Sequence, residues 1–269
     1  MISTLTLFII AGFFVFGLVI GSFLNVVICR WNTKKSLGGR SACMSCRNQL
    51  CWYELIPLIS FITLRGRCRS CQTRISVLYP SVEILTGLTF VALFLKFQDI
   101  FSISLPVFTV TYMYYATMFS FLIVIAAYDL RHKIIPDILS FVFGVLGFTG
   151  LFFFNTDNFI WFYPHIPSVL DFLSGPLIAL PFALFWLASY GAWMGLGDAK
   201  LVLGLGWLLG ISASFSAIIF AFWAGAIIGL CLIFFKRGYS MKSEIPFALY
   251  LVLGTFLVFL FDLNLFAYA

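Results

Sequence analysis

Long apolar runs separated by short polar ones dominate the chain, and the runs set its architecture. Eight stretches, roughly 4–28, 79–97, 106–128, 138–155, 173–193, 199–211, 213–235 and 246–266, are rich in Leu, Ile, Val, Phe and Ala and poor in charge. A helix rises about 1.5 Å per residue, so about 20 such residues cross the hydrocarbon of a bilayer. The pattern predicts an all-α polytopic membrane protein with eight transmembrane helices. The sixth is short, parted from the seventh only by GISASF at 210–215. No internal repeat, low-complexity linker or strand-rich region interrupts the series. The first run is expected to be a retained helix, because it is longer than a signal-peptide core and no basic segment precedes it.

Composition agrees: of 269 residues, 62% are hydrophobic and only 10% charged, too little polar surface for a soluble domain of this length. The net charge of +6 acquires meaning from its placement. Arg30, Lys34, Lys35, Arg40, Arg47, Arg65, Arg67, Arg69 and Arg74 all fall between the first two spans. With that loop cytoplasmic, alternation also puts Arg131, Lys133, Lys200, Lys236, Arg237 and Lys242 inside, leaving only Lys96 outside. Both termini are then expected to be non-cytoplasmic. The segment FFNTDNFIWFYPHIPSVLDF, free of Lys and Arg, reads as an outer interfacial stretch with Trp and Tyr at headgroup depth. The basic excess is thus assigned to membrane orientation, the partner it implies is the lipid bilayer, and no nucleic-acid partner is expected.

The basic loop contains CMSC (Cys43, Cys46) and, after 21 residues, CRSC (Cys68, Cys71). Each CxxC can turn two thiolates onto one ion, and two such turns complete a tetrahedral zinc site. Neighbouring basic residues favour thiolates. Disulfides or free thiols are the alternatives, and a reducing cytoplasm disfavours the former. Four sulfur ligands leave no open position, so the expected zinc is structural. Cys29, Cys51 and Cys231 read as small apolar residues, with Cys51 close enough to be a spare ligand. The predicted domains are the first helix (1–29), a cytoplasmic zinc loop (30–77) and a membrane core (78–269).

Ten acidic residues can each be weighed. Asp99, Asp157, Asp171 and Asp262 lie near outer helix ends, where solvated carboxylates are ordinary, while Glu54 and Glu244 lie in loops. Asp129, in AAYDLRHKIIPD, and Asp198, in GLGDAK, come at the same membrane face by the predicted alternation. Two carboxylates held close share a proton, so one can activate water while the other polarises a peptide carbonyl. Gly195 and Gly197 would let the backbone beside Asp198 bend sharply and admit another chain. Each acid also has a plainer reading. Asp129 could pair with Arg131 or Lys133, and Asp198 could cap the sixth helix or pair with Lys200. Asp137, after Pro136, reads as the N-cap of the fourth span. Glu83 reads as a structural partner of a basic loop residue, and His132 is given no role.

In order along the chain, GSFLNVVICR, CMSC with WYELIPLIS, LRGRCRSC, ISVLYPSVE, YDLRHKIIPD and GLGDAK resemble the motifs of the type IV prepilin peptidases. These are bifunctional leader peptidase/N-methyltransferases of the GxGD aspartyl type. Two departures stand out: Met44 takes the place of the proline usual in the first cysteine pair, and Cys51 is additional. The resemblance implies that Asp129 and Asp198 are the catalytic pair, with Gly195, Gly197, Lys200, Pro136 and Asp137 around them. It implies zinc on Cys43, Cys46, Cys68 and Cys71. The substrates would be prepilins or pseudopilins, with a short basic leader in the cytoplasm and an apolar helix in the bacterial inner membrane. Cleavage would fall at the cytoplasmic face, after a glycine. Methylation of the new N-terminus by S-adenosylmethionine is implied by resemblance alone, with the zinc loop and Glu83 as candidates for supporting it. An ion-coupled transporter and a non-catalytic zinc-bearing scaffold are the competing classes. The transporter fits less well, because the two acids lie at one face and not at the midplane and it has no need of four cysteines, while a scaffold would tolerate loss of both aspartates.

Overall fold

A computed structural model describes residues 4–33, 36, 38–154, 162, 164–191, 194–235 and 246–266. The expectations for Lys34, Lys35, Asp157, Lys236, Arg237, Lys242 and Glu244, and for most of the outer interfacial stretch, lie outside the described residues. The described part is helical and forms two compact units, Met1–Gln98 and Asp99–Ala269.

The first unit holds α1 (Thr4–Arg30), a 3-10 turn at Trp52–Leu55, α2 (Ile59–Thr63) and α3 (Leu78–Lys96). Helices α1 and α3 are each long and apolar enough to cross a membrane, and they pack against one another. Glycines set how closely they pack. A Cβ on Gly17 would lie 2.7 Å from Gly87 Cα, and one on Gly21 would lie 2.8 Å from Glu83 Cα. Small residues at such a seam let helix backbones approach where lipid removes any hydrophobic drive to pair. Further along, Phe13 stacks on Phe94 with ring centroids 4.6 Å apart.

In the second unit, α4 (Gln98–Ile103, shared with the first at its start) leads into α5 (Leu105–His132). There follow α6 (Asp137–Gly150), α7 (Val169–Ser189), α8 (Leu196–Phe235) and α9 (Phe247–Phe261). Helix α5 supplies the core: Tyr115 and Phe119 are buried and meet Phe259 of α9 at 4.8 and 5.0 Å between ring centroids. Helix α8 packs on α6, α7 and α9, and small residues again carry the contacts. A Cβ on Gly206 would come within 2.6 Å of Gly175 Cα in α7, and one on Gly254 of α9 would overlap Ala217 O.

The expected break between the sixth and seventh spans is present as an interruption within α8. Gly210 has φ 76° and ψ 177°, a conformation open to glycine and not to a helix. Divided there, the helices of both units place a helical stretch at each of the eight apolar runs. Among the described residues five helices, α1, α3, α5, α7 and α8, are long and apolar enough to span by length and composition. Helices α6 and α9 are shorter than the runs that predicted them, 14 and 15 residues or about 21–23 Å long.

Candidate active site and cysteine cluster

At one end of the second unit the C-terminus of α5 meets the N-termini of α6, α8 and α9. Asp129 lies in the last turn of α5, which closes when Lys133, in the left-handed region at φ 55°, donates its N–H to Asp129 O at 2.7 Å. The side chain is buried, 5% exposed, and Oδ2 accepts the backbone N–H of Ala248 at 3.3 Å. Ala248 is the second residue of α9, behind an N-cap proline, Pro246. First-turn N–H groups have no partner within their own helix, so the carboxylate and the helix start satisfy each other. Sequence reasoning missed Ala248. A backbone donor 119 positions away leaves no mark in residue type.

Asp198 is half-buried in the first turn of α8, where its N–H bonds to Gly195 O at 3.2 Å. It is the third helical residue and not the N-cap. Its carboxylate lies near enough to Asp129 to feel that residue's charge. The structure therefore brings together the two acids that the sequence singled out. Lys200 Nζ pairs with Asp137 Oδ1 at 2.6 Å and not with Asp198, the plainer alternative, and so joins the first turns of α8 and α6. Asp137 does not cap α6: Pro136 holds the N-cap position and Asp137 is the first helical residue.

The glycines act differently from expectation. Neither Gly195 nor Gly197 has a positive φ, so neither makes a left-handed bend beside Asp198. At Gly197 the space is taken by this chain itself, since a Cβ there would lie 2.9 Å from Ile135 Cβ in the α5–α6 connection. Gly195 is the open one. The nearest atom to a Cβ at Gly195 is Asp198 Oδ2, at 3.6 Å.

In the first unit the two cysteine turns are near-copies of one another. Isolated antiparallel bridges, Ala42 with Gln49 and Arg67 with Arg74, flank them. Cys43 N–H bonds to Asn48 O and Cys68 N–H to Thr73 O; Arg47 N–H returns to Cys43 O and Gln72 N–H to Cys68 O. Arg47 and Gln72 take φ 58° and 57° at equivalent positions. Met44 in place of proline thus leaves the first turn built like the second. Asn48 Nδ2 donates to Ser70 Oγ at 2.7 Å and ties the two together.

All four sulfurs lie within 4.8 Å of one another, with Cys43–Cys71 at 3.8 Å and Cys46–Cys68 at 4.0 Å. Zinc–sulfur bonds of 2.3 Å in a tetrahedron require sulfur separations of about 3.8 Å, so the set fits a metal ion. The thiols compete for protons. Hydrogen bonds with the Thr73 hydroxyl and N–H pull Cys71 down to about 6, and the backbone N–H groups of Cys46 and Ser45 lower Cys43. Cys46 is pushed up to about 11, its bond from the Asn48 N–H outweighed by desolvation and the other thiols. Cys51 stands outside the four.

Glu83 is buried in α3, but its partner is not basic. Oε2 accepts the backbone N–H of Leu58 at 2.9 Å. Leu58 has φ 60° and leads into α2, so the glutamate holds a strained turn of the loop against the helix pair. Nothing in the loop's sequence marked Leu58 as that partner.

Comparison with known proteins finds two matching family models: the bacterial peptidase A24 N-terminal domain over residues 15–97 and the type IV leader peptidase family over residues 116–230. A prepilin leader peptidase/N-methyltransferase of Myxococcus xanthus is 36% identical over 228 residues, covering 82% of this chain and 62% of that protein. One of Bacillus subtilis is 32% identical over 250 residues, 92% of each chain. One of Aeromonas salmonicida is 30% identical over 276 residues, 92% of this chain and 89% of that one. No solved structure matches.

Proposed function

The chain belongs to the type IV leader peptidase family, among the prepilin leader peptidase/N-methyltransferases, and from that premise we propose that Asp129 and Asp198 are its catalytic pair. The protein is a multi-pass inner-membrane hydrolase that removes the leader of type IV prepilins and methylates the N-terminus so exposed. The observation that carries the assignment is the meeting of the two acids at one end of the helix unit, with a helix N-terminus donating to one of them.

The chemistry follows from that arrangement. One ionised carboxylate takes a proton from water as its oxygen attacks the scissile carbonyl carbon, while the protonated partner gives its proton to the carbonyl oxygen. Collapse of the tetrahedral intermediate breaks the C–N bond: the proton held by the first acid leaves with the amine, and the partner takes back a proton from the diol hydroxyl as the carbonyl re-forms. The positive N-terminal ends of α8 and α9 favour the one negative charge that the pair retains. Gly195 leaves room beside Asp198 for a peptide backbone. Lys200 with Asp137, and Pro136 with Gly197 packed on Ile135, hold the starts of α6 and α8 around the site.

By the distribution of Lys and Arg, this end of the unit faces the cytoplasm and both termini lie outside, with eight spans in all. A basic leader then stays in the cytoplasm, the rest of the substrate lies in the membrane, and the cut falls at the junction. The 30–77 segment is a loop domain organised by a structural zinc on Cys43, Cys46, Cys68 and Cys71, between the first helix (1–29) and the membrane core (78–269). S-Adenosylmethionine is the methyl donor, and no residue is assigned to bind it. Prepilin processing by membranes carrying Asp129→Asn or Asp198→Asn protein tests the pair: the leader should stay attached. Labelled methyl donor in the same assay follows the second activity.

A further inference from the structure

Between α6 and α8 runs an open groove of about 640 Å³ that no step above uses. Ile138, Phe141 and Val145 of α6 line it together with Leu203 and Trp207 of α8, and Gly144 lies between. The absent side chain at Gly144 leaves the slot open. The helices are close at Gly147, where a Cβ would lie 3.0 Å from Gly204 O, and at Gly144, whose Cα would lie 3.2 Å from a Cβ on Gly204. A Cβ on Gly144 itself would enter the groove, 3.8 Å from Leu203 Cδ2 and 3.9 Å from Trp207 Cζ3. The Asp137–Lys200 ion pair stands at one end of the groove, and Phe148 and Trp207 at the other. Phe148 lies eleven positions after Asp137 along α6, a rise of about 16 Å.

Resting on the peptidase reading above, we propose that this groove receives the apolar part of the substrate that follows the scissile bond. Location is the first argument. Lys200, at the mouth, lies two residues from Asp198, so the groove begins level with the turn that carries a proposed catalytic carboxylate, about 200° around α8 from it, and a substrate backbone would pass over the first turn of α8 to reach the acid. Chemistry is the second. Beyond the ion pair the lining is nearly all carbon, and a polar occupant would lose its water there without gaining hydrogen bonds. Direction is the third. The groove leads from the end where the acids gather into the apolar length of α6 and α8, so its occupant is the membrane-embedded side of the cut and not the water-soluble leader. Access is the fourth: Phe141 is 71% exposed and Ile138 62%, leaving the slot open sideways to a helix already in the bilayer. The residues just after the cut are thereby read for apolar character and shape.

The test uses the full-length enzyme in lipid nanodiscs with an intact prepilin. Gly144→Leu fills the slot without touching either acid, and it should raise KM about tenfold with kcat little changed. A folded Gly144→Leu enzyme with unchanged KM overturns the proposal. Should that variant not fold, a benzophenone side chain at exposed position 141 gives an independent answer. Photolysis should yield an adduct whose substrate end maps just after the cut, while the same group at Phe185 of α7 should give none. An adduct with lipid alone, or with the leader, overturns the proposal. Neither KM nor the adduct depends on which side chains hydrolyse the bond. An active Asp198→Asn enzyme would therefore sink the carboxylate pair and leave the groove to be judged separately.

Discussion

The backbone N–H of Ala248, in the first turn of α9, donates to Oδ2 of Asp129 at 3.3 Å, joining positions 119 apart in the chain. An asparagine at 129 keeps an oxygen acceptor for that N–H, whereas an alanine leaves it buried and unpaired. Such an orphaned donor costs about 1–3 kcal/mol. Asp129→Ala should therefore melt at a lower temperature than Asp129→Asn in the same detergent, with Asn close to wild type. Equal melting temperatures would mean that the contact carries no weight.

The Lys200–Asp137 bridge is short but wet, its side chains 42% and 74% exposed. Exposed pairs contribute about 0–1 kcal/mol, and salt screens them. Asp137→Asn should cost no more than that in denaturant titration, and the difference from wild type should shrink at high salt. A larger or salt-independent loss would assign Asp137 a role beyond the bridge.

Metal content tests the cysteine cluster. Wild-type protein should carry zinc, and the double variant Cys68→Ser, Cys71→Ser should lose it, as read by atomic emission on purified protein. Cys51→Ser should keep its zinc, because Cys51 stands outside the four. Chelation should expose the 38–76 segment to protease while α1 and α3 stay protected. Undiminished zinc in the double variant would remove the four-thiolate site.

Glu83 anchors the turn at Leu58 through a 2.9 Å bond. Glu83→Ala removes the acceptor and Glu83→Gln retains one. Hydrogen exchange at residues 56–63 should thus accelerate more in the alanine variant than in the glutamine variant. Equal exchange in both would show that the turn holds without Glu83.

Apolar runs and the CxxC pairs were legible in the sequence because both are local signals: a span needs only its own twenty residues, and a cysteine turn only four. The convergence of Asp129 and Asp198 was legible from the alternation of spans, which put them on one face. What could not be read were partners supplied by distant backbone. Ala248 N–H, Leu58 N–H and the contact of Ile135 with Gly197 depend on how helices meet, and any residue but proline offers an N–H. Asp137 was misplaced by one position because the N-cap is defined by backbone geometry, which Pro136 satisfies without a side-chain bond. The runs at 138–155 and 246–266 continued beyond their helices because hydropathy does not register where a helix stops.

Leader removal by the isosteric aspartate variants tests the central claim most directly. An intact prepilin is incubated with membranes holding equal amounts of wild-type, Asp129→Asn or Asp198→Asn enzyme, and the initial rate of cleavage is read from a gel. The account predicts that either substitution lowers the rate by about 10²–10⁴-fold, the span over which a positioned acid or base acts, with melting close to wild type. Processing at near the wild-type rate by either variant would contradict it.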